Sequence, residues 1–310
     1  MTSPHQIDYE NLPPVRRENN VAIQRAVSLS ERELLAITQT PPLNEALVPV
    51  VMMPESGLID FGKELGLRWP ATLPDLLAGS VSLAAGDSRV LGDGAGGLVM
   101  LVLAGGGKLN SEDETLALHP GDISCLPGNQ GITLVAGDQG LRYFFVDDSP
   151  LLNYLGWQVA PNKRSALTHF PAELLKQKLD EYGAAGIDAS GVFLSHAGLA
   201  DEKLCTPLLF AHLNRLMPGA RNTVHAHAAP ALTYVIDGGE QCYSLLGEVL
   251  INGEIQNPTR VEWQAGQLAI TPPNLWHGHF NDGPKPVLSL VIQPAGLHYH
   301  NRTMNFQLAD

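Results

Sequence analysis

The stretches Val224-His225-Ala226-His227 and Trp276-His277-Gly278-His279-Phe280-Asn281 decide the reading of this chain, because each sets a His-x-His among strand-forming residues. Successive side chains of a β-strand point to opposite faces, so His225 and His227 share one face, as do His277 and His279. The first pair together with one histidine of the second, His277 or His279, makes a facial set of three imidazoles. Such a set suits iron, manganese, nickel, copper or zinc, and three protein ligands leave positions open for substrate and oxygen. A single His-x-His has a blander explanation, as polar residues on a solvated strand or as core histidines satisfied by backbone groups. The flanking residues argue against it here.

Met217-Pro218-Gly219 reads as a turn before the first pair, and Ala231 to Asp237 as a strand running into Gly238-Gly239 after it. Before the second pair, Gly266 to Pro272 reads as turn, strand and proline-terminated loop. Strand-turn-strand units with inward histidines at both ends describe a small β-barrel.

At these residues the chain resembles the cupin superfamily. The first cupin motif is matched by Gly219, His225, His227 and Gly238, and the second by Gly266, Pro272, His277 and Asn281. The glutamate that many cupins place four residues after the second histidine is Ala231 here, which makes the site similar to the three-histidine variety. From Leu208 to Val291 the chain looks most like the bicupin group of gentisate, salicylate and 1-hydroxy-2-naphthoate dioxygenases, through Leu216 to Gly219, the His225-Ala226-His227 pair, Trp263, and Pro272 to Asn281. The resemblance implies an all-β-dominated bicupin, two double-stranded β-helix (jelly-roll) barrels with a few short helices. It implies His225, His227 and His277 as ligands of Fe(II), with Mn, Ni or Zn as alternatives. It also implies a small-molecule substrate, O2 as co-substrate, and a place in aromatic-compound catabolism. His279 shares the face of His277 and is expected to be an acid-base group beside the metal; a fourth ligand or a substrate-orienting group are the other roles open to it. Asn214 and Phe210 stand where related enzymes carry a substrate-contacting glutamine and an aromatic pocket residue.

The departures bear on the substrate. Thr233 stands where relatives hold the substrate carboxylate with an arginine, and Ala226 where another arginine is frequent. Thr233 is therefore expected to contact the substrate without supplying the charge-assisted pair that grips a carboxylate. Arg215 and Arg221 are the candidates to supply that charge instead.

The first half repeats the scaffold without the histidines. The strand and glycines of Gly97 to Gly107 and the Gly121 to Pro127 stretch echo the second half, yet the ligand positions fall on Gly92, Gly94 and Ile132. A metal-free barrel with an apolar interior is expected there, and His119 is expected at the surface. The resulting division is a 1–60 extension with a short helix, a 61–147 barrel, a 148–206 linker with a helix, and a 207–310 barrel carrying the site. Ser30-Glu31-Arg32-Glu33 has the form of a capping box opening a short helix, and Phe170 to Gly183, with Pro171 in its first turn, reads as the linker helix.

Composition sets outer limits. The 310 residues accommodate two barrels with extensions, and the 44% hydrophobic fraction fills two cores. A net charge of −13 lacks the electrostatic term on which nucleic-acid binding depends. Three scattered cysteines without CxxC spacing fit a reducing compartment, and neither a signal pattern nor a long apolar run is seen, so no membrane association and a cytoplasmic location are expected. Exposed sheet edges suggest a homo-oligomer, a dimer or tetramer. The functional expectation is a ring-cleaving dioxygenase; the alternative is a non-catalytic cupin that binds a metal or another ligand.

Overall fold

Gly97 to Ala104 is apolar without alternation, the pattern of a strand covered on both faces. The computed structural model, which describes residues 49–160 and 165–309, shows both covers. The first strands are β1 (Val50–Met52), β2 (Gly57–Ile59), β3 (Leu77–Leu83), β4 (Ser88–Val90), β5 (Gly97–Asn110), β6 (Thr115–Leu118), β7 (Ile123–Pro127) and β8 (Thr133–Asp147). Then come α1 (Ser149–Leu155), β9 (Thr168–Phe170), α2 (Ala172–Ala184), β10 (Ala189–Leu194) and β11 (Phe210–Leu216). The remainder is β12 (His225–Ala226), β13 (Ala231–Asp237), β14 (Cys242–Gly247), β15 (Leu250–Ile251), β16 (Glu254–Ile255), β17 (Thr259–Glu262), β18 (Gln267–Thr271), β19 (Trp276–Asn281), β20 (Val287–Gln293), α3 (Ala295–Asn301) and β21 (Gln307–Leu308).

One sheet, in the order β2-β3-β8-β5-β7-β9 with β4 and β6 added to β8 and β5, forms the first barrel. Its long strands β5 and β8 lose register between Val102 and Ala104 and again between Gly105 and Gly107, and such bulges bend a strand and let one sheet curl on itself. Gly105 has φ 72°, and a Cβ there would run into the Gly140 carbonyl oxygen. Leu98, Met100 and Val102 point into this barrel and meet Leu109, Ile132, Leu134 and Tyr143. The ligand-equivalent position Ile132 is thus core, while Gly92 and Gly94 sit at positive φ in a turn.

The second barrel is built from two sheets, β1-β18-β13-β20-β11-β10 and β17-β14-β19-β12-β21. Val99 and Leu101, the other face of β5, join Phe144, Leu213, Tyr234, Leu268 and Leu290 in a shared cluster, and the Phe144 and Tyr234 rings stack at 4.5 Å. Each fully buried side chain of this kind contributes about 1.5–3 kcal/mol relative to exposure, so the two barrels are welded by their cores. The described residues accordingly all belong to one compact unit. Strands outside the two motif regions extend the sheets: β1 pairs with β18, β9 with β7 and β10 with β11.

The helix expected from Phe170 is α2, and it starts at Ala172 because Phe170 is taken up by pairing with Ile123. Leu175 and Leu179 are its buried residues. The helix expected at Ser30 lies outside the described residues. Helices α1 and α3 carry no signature that the sequence reading used. Among the described residues no helix is long and apolar enough to cross a membrane.

Candidate metal centre

β12 and β19 lie side by side with His225 opposite His277, which brings their rings to 4.2 Å between centroids; His227 and His277 stand 4.7 Å apart. Ala226, between the two histidines, turns to the other face and is buried. Asn281 explains why this loop system holds its shape. Its amide nitrogen donates to the Leu216 and Lys285 carbonyls, and its oxygen accepts from the Gly283 N–H. Gly219 and Gly266, at φ 78° and 83°, make the turns that precede β12 and β18.

Each histidine of the set is oriented in one way. His225 Nδ1 lies 2.7 Å from the Thr223 carbonyl, His227 Nδ1 2.6 Å from that of Ala229, and His277 Nδ1 2.8 Å from that of Leu275. A carbonyl only accepts, so the proton sits on Nδ1 and the Nε2 lone pair is left for a ligand. One ring nitrogen from each of the three lies within 4.8 Å of the others, and this is the one convergent cluster of histidine, cysteine and carboxylate ligands among the described residues. Burial lowers the pKa of all three, that of His227 to about 4, so the rings are neutral at pH 7. Neutral, pre-oriented imidazoles are what a divalent transition metal requires. The Gln293 amide nitrogen approaches His227 Nε2 at 3.2 Å and would have to turn aside for an ion to take that lone pair.

His279 stands apart from the set. Its Nδ1 meets the Ser244 hydroxyl at 2.8 Å rather than a carbonyl, Trp263 packs against it at 5.0 Å between centroids, and it is not one of the three converging nitrogens. Burial foremost, then the neighbouring His225, His212 and His227, push its pKa down to about 3.

A cavity of about 1010 Å³ opens above the three histidines, and Phe210, Asn214, Thr233 and His279 all line it. Phe210 and Asn214 lie two intervals of alternation apart on β11, and Thr233 faces in from β13. The structure also brings in residues that the sequence reading passed over. His212 lies between Phe210 and Asn214 on the same inward face; the alternation alone would have found it. The C-terminal segment after β20 contributes His298, Tyr299, Arg302 and Phe306, and the Phe306 ring stacks on His225 at 5.2 Å.

The two arginines considered as carboxylate anchors face elsewhere. Arg215 Nη1 donates to Asp180 of α2 at 2.9 Å and its Nη2 to the Leu179 carbonyl. Arg221 bridges to Phe280 on the far side of β19 and lines a different depression. Strand alternation is the reason for Arg215: 210, 212 and 214 point inward, so 215 points out. Cations do reach the cavity at its rim, where exposed Lys203 and Arg302 stand with Asp201 and Glu202. In the first barrel, the His119 side chain is 74% exposed, beside Asp122.

Comparison with known proteins agrees with this geometry. Residues 212–293 match the cupin domain family. The chain is 32% identical over 148 residues to gentisate 1,2-dioxygenase 1 of Aquipseudomonas alcaligenes, covering 46% of this chain and 40% of that protein. It spans about two fifths of the length of the curated relatives it matches, 40% and 38%. Salicylate 1,2-dioxygenase of Pseudaminobacter salicylatoxidans superposes with a TM-score of 0.63 at 13% identity, covering 96% of this chain and 94% of that one. A mutant form of that enzyme in complex with gentisate gives a TM-score of 0.63 at 14% identity, covering 89% and 83%. The fold is therefore the bicupin fold, and the chain resembles the gentisate dioxygenases in the region that carries the three histidines.

Proposed function

We propose that this protein is a metal-dependent dioxygenase that cleaves a chelating, hydroxylated aromatic or related substrate with O2. His225, His227 and His277 would hold the ion, Fe(II) by resemblance. The observation that carries the reading is the convergence of three carbonyl-oriented imidazoles at one wall of a cavity large enough for a ring compound. When bound, the ion supplies a Lewis-acidic, redox-active centre where adjacent substrate oxygens and O2 are brought together. The chain's own residues do the rest. Phe210 offers a flat apolar wall for a ring, and Asn214 and Thr233 offer hydrogen bonds to its substituents. His279, neutral and held through Nδ1 by Ser244, presents Nε2 as the group that relays a substrate hydroxyl proton by changing tautomer. The first barrel, with the core residue Ile132 and the turn glycines Gly92 and Gly94 where ligands would stand, is a structural partner.

The inner walls carry imidazoles, amides and hydroxyls, while Lys203 and Arg302 remain exposed at the rim. A carboxylate buried here pays a desolvation penalty of several kcal/mol with little but the metal to offset it. Neutral chelators are therefore the better substrates. The test is metal analysis of anaerobically purified protein, followed by oxygen uptake with gentisate, its methyl ester and a neutral catechol or diketone. About one divalent ion per chain and faster uptake with the neutral compounds is the expected result. Absence of stoichiometric metal removes the site assignment; fast turnover of gentisate with an inactive ester shows that the rim cations reach the carboxylate.

A further inference from the structure

Of the polar side chains lining the cavity, His212 and Asn222 each bury an atom without a hydrogen-bond partner, and His212 is the imidazole of the two. It sits mid-strand on β11, opposite Phe193 of β10 and Val291 of β20. The rings of Phe210 and Phe193 flank it at 5.4 and 5.9 Å between centroids. Its Nδ1 is sealed from solvent and has no hydrogen-bond partner, although the ring lines the cavity. The nitrogen left for the cavity is Nε2. A neutral imidazole carries one N–H, and placing it on Nδ1 would bury a donor with nothing to receive it, the rarer and costlier kind of orphan. The tautomer with the proton on Nε2 avoids this. His212 thus differs from the three ligand histidines, whose carbonyl partners hold the proton on Nδ1 and free Nε2 as an acceptor.

Resting on the reading of the cavity as a chelator site, we propose that His212 determines specificity by donating from Nε2 to an uncharged oxygen acceptor, a ketone or ester carbonyl, on the substrate edge away from the ligand histidines. The placement supports this: β11 belongs to the sheet opposite β12 and β19. A substrate hydroxyl there would set donor against donor unless it turned to accept. A carboxylate would accept but would bring a full charge into a wall whose other polar groups, Asn214, Thr233, Thr271 and Gln293, are neutral. A carbonyl satisfies the donor without that cost.

The experiment uses the full chain loaded with Fe(II) under anaerobic conditions, titrated calorimetrically with 3,4-dihydroxyacetophenone and with 4-ethylcatechol. The two share a chelating edge and a similar shape, and the first alone carries the carbonyl. Wild type is compared with His212→Phe, which keeps ring volume without a donor, and with His212→Gln, whose amide nitrogen reaches near the Nε2 position. The ratio of the two affinities removes any intrinsic effect of the acetyl group on chelation, because that effect is common to all three proteins. The expected result is a ratio about five- to tenfold lower in His212→Phe, the worth of one buried neutral hydrogen bond. His212→Gln should keep most of the wild-type ratio, and all three should keep equal metal content. An unchanged ratio in His212→Phe overturns the proposal, as does loss of metal in that variant, which would make His212 a support of the metal site. If His212→Phe does not fold, loss of the ratio in a folded His212→Gln decides against it. Failure of both compounds to bind metal-loaded wild type overturns the underlying reading of a chelator site, a result separable from the others because no variant is involved.

Discussion

The hydrogen-bond partner of each ring's second nitrogen separates the histidines of this cavity by role. A carbonyl behind Nδ1 makes His225, His227 and His277 acceptors at Nε2, whereas the hydroxyl of Ser244 behind His279 can donate or accept and leaves that ring able to change tautomer. Replacing His225 or His227 by alanine is therefore expected to abolish stoichiometric metal, read by elemental analysis. His279→Ala and Ser244→Ala are expected to keep metal with affinity weakened by no more than about 10–100-fold, while turnover on the eventual substrate falls. Full activity in His279→Ala would reduce that residue to a packed strand histidine against Trp263. Metal lost from His279→Ala as completely as from the other two would make it a fourth ligand.

At the scale of elements, the least expected piece is the C-terminal strap. β21 adds to the edge of β12, with His225 opposite Leu308, and sets Phe306 over the His225 and His227 rings. Phe306 is 56% exposed, so Phe306→Ala should shift the denaturation midpoint little, well short of the roughly 3–5 kcal/mol lost when a buried Phe is truncated. It should nonetheless speed metal release to a chelator by uncovering His225. A release rate unchanged from wild type would show that the strap does not guard the site. What could be read from sequence follows the same physics. The paired histidines, Gly219, Gly266 and Asn281 were legible because each meets a local demand, alternation on a strand, a positive φ or a loop needing three hydrogen bonds. The strap was not, since a two-residue strand has no period and exists only through its pairing with β12. Arg215 misled for a related reason: its partner Asp180 lies on α2, and no local pattern records a contact between distant segments. The continuous apolar run of β5 signalled burial on both faces but not what covers it, which took the second barrel's Tyr234 and Leu290 to reveal.

At the scale of the whole molecule, the two ends of the linker meet the first barrel at Gly96 and Gly97. Asp148, at the start of α1, accepts the Gly96 and Gly97 N–H groups at 2.5 and 3.0 Å, and Thr206 packs so closely on Gly97 that a Cβ there would collide with it. Burial pushes the Asp148 pKa up to about 7 from its ordinary 3.8, against the pull of those backbone donors. A carboxyl whose folded pKa is raised stabilises the fold fully below its unfolded pKa and loses that contribution as pH rises through the folded value. The window here runs from about pH 4 to about pH 7, and a shift of this size corresponds to roughly 4 kcal/mol across it. Asp148→Asn keeps an oxygen for the two N–H groups and removes the titration. It should flatten that part of the stability profile, so that urea midpoints of wild type and variant diverge progressively from pH 4 to pH 8, with the variant the more stable at the upper end. The acidic chain as a whole, at net charge −13, also gains from protonation of its other carboxylates, but that contribution is common to both proteins and cancels in the difference. Parallel profiles would mean that the carboxylate reaches solvent in the folded state, and that the junction of the linker with the first barrel is looser than the packing of Thr206 on Gly97 implies.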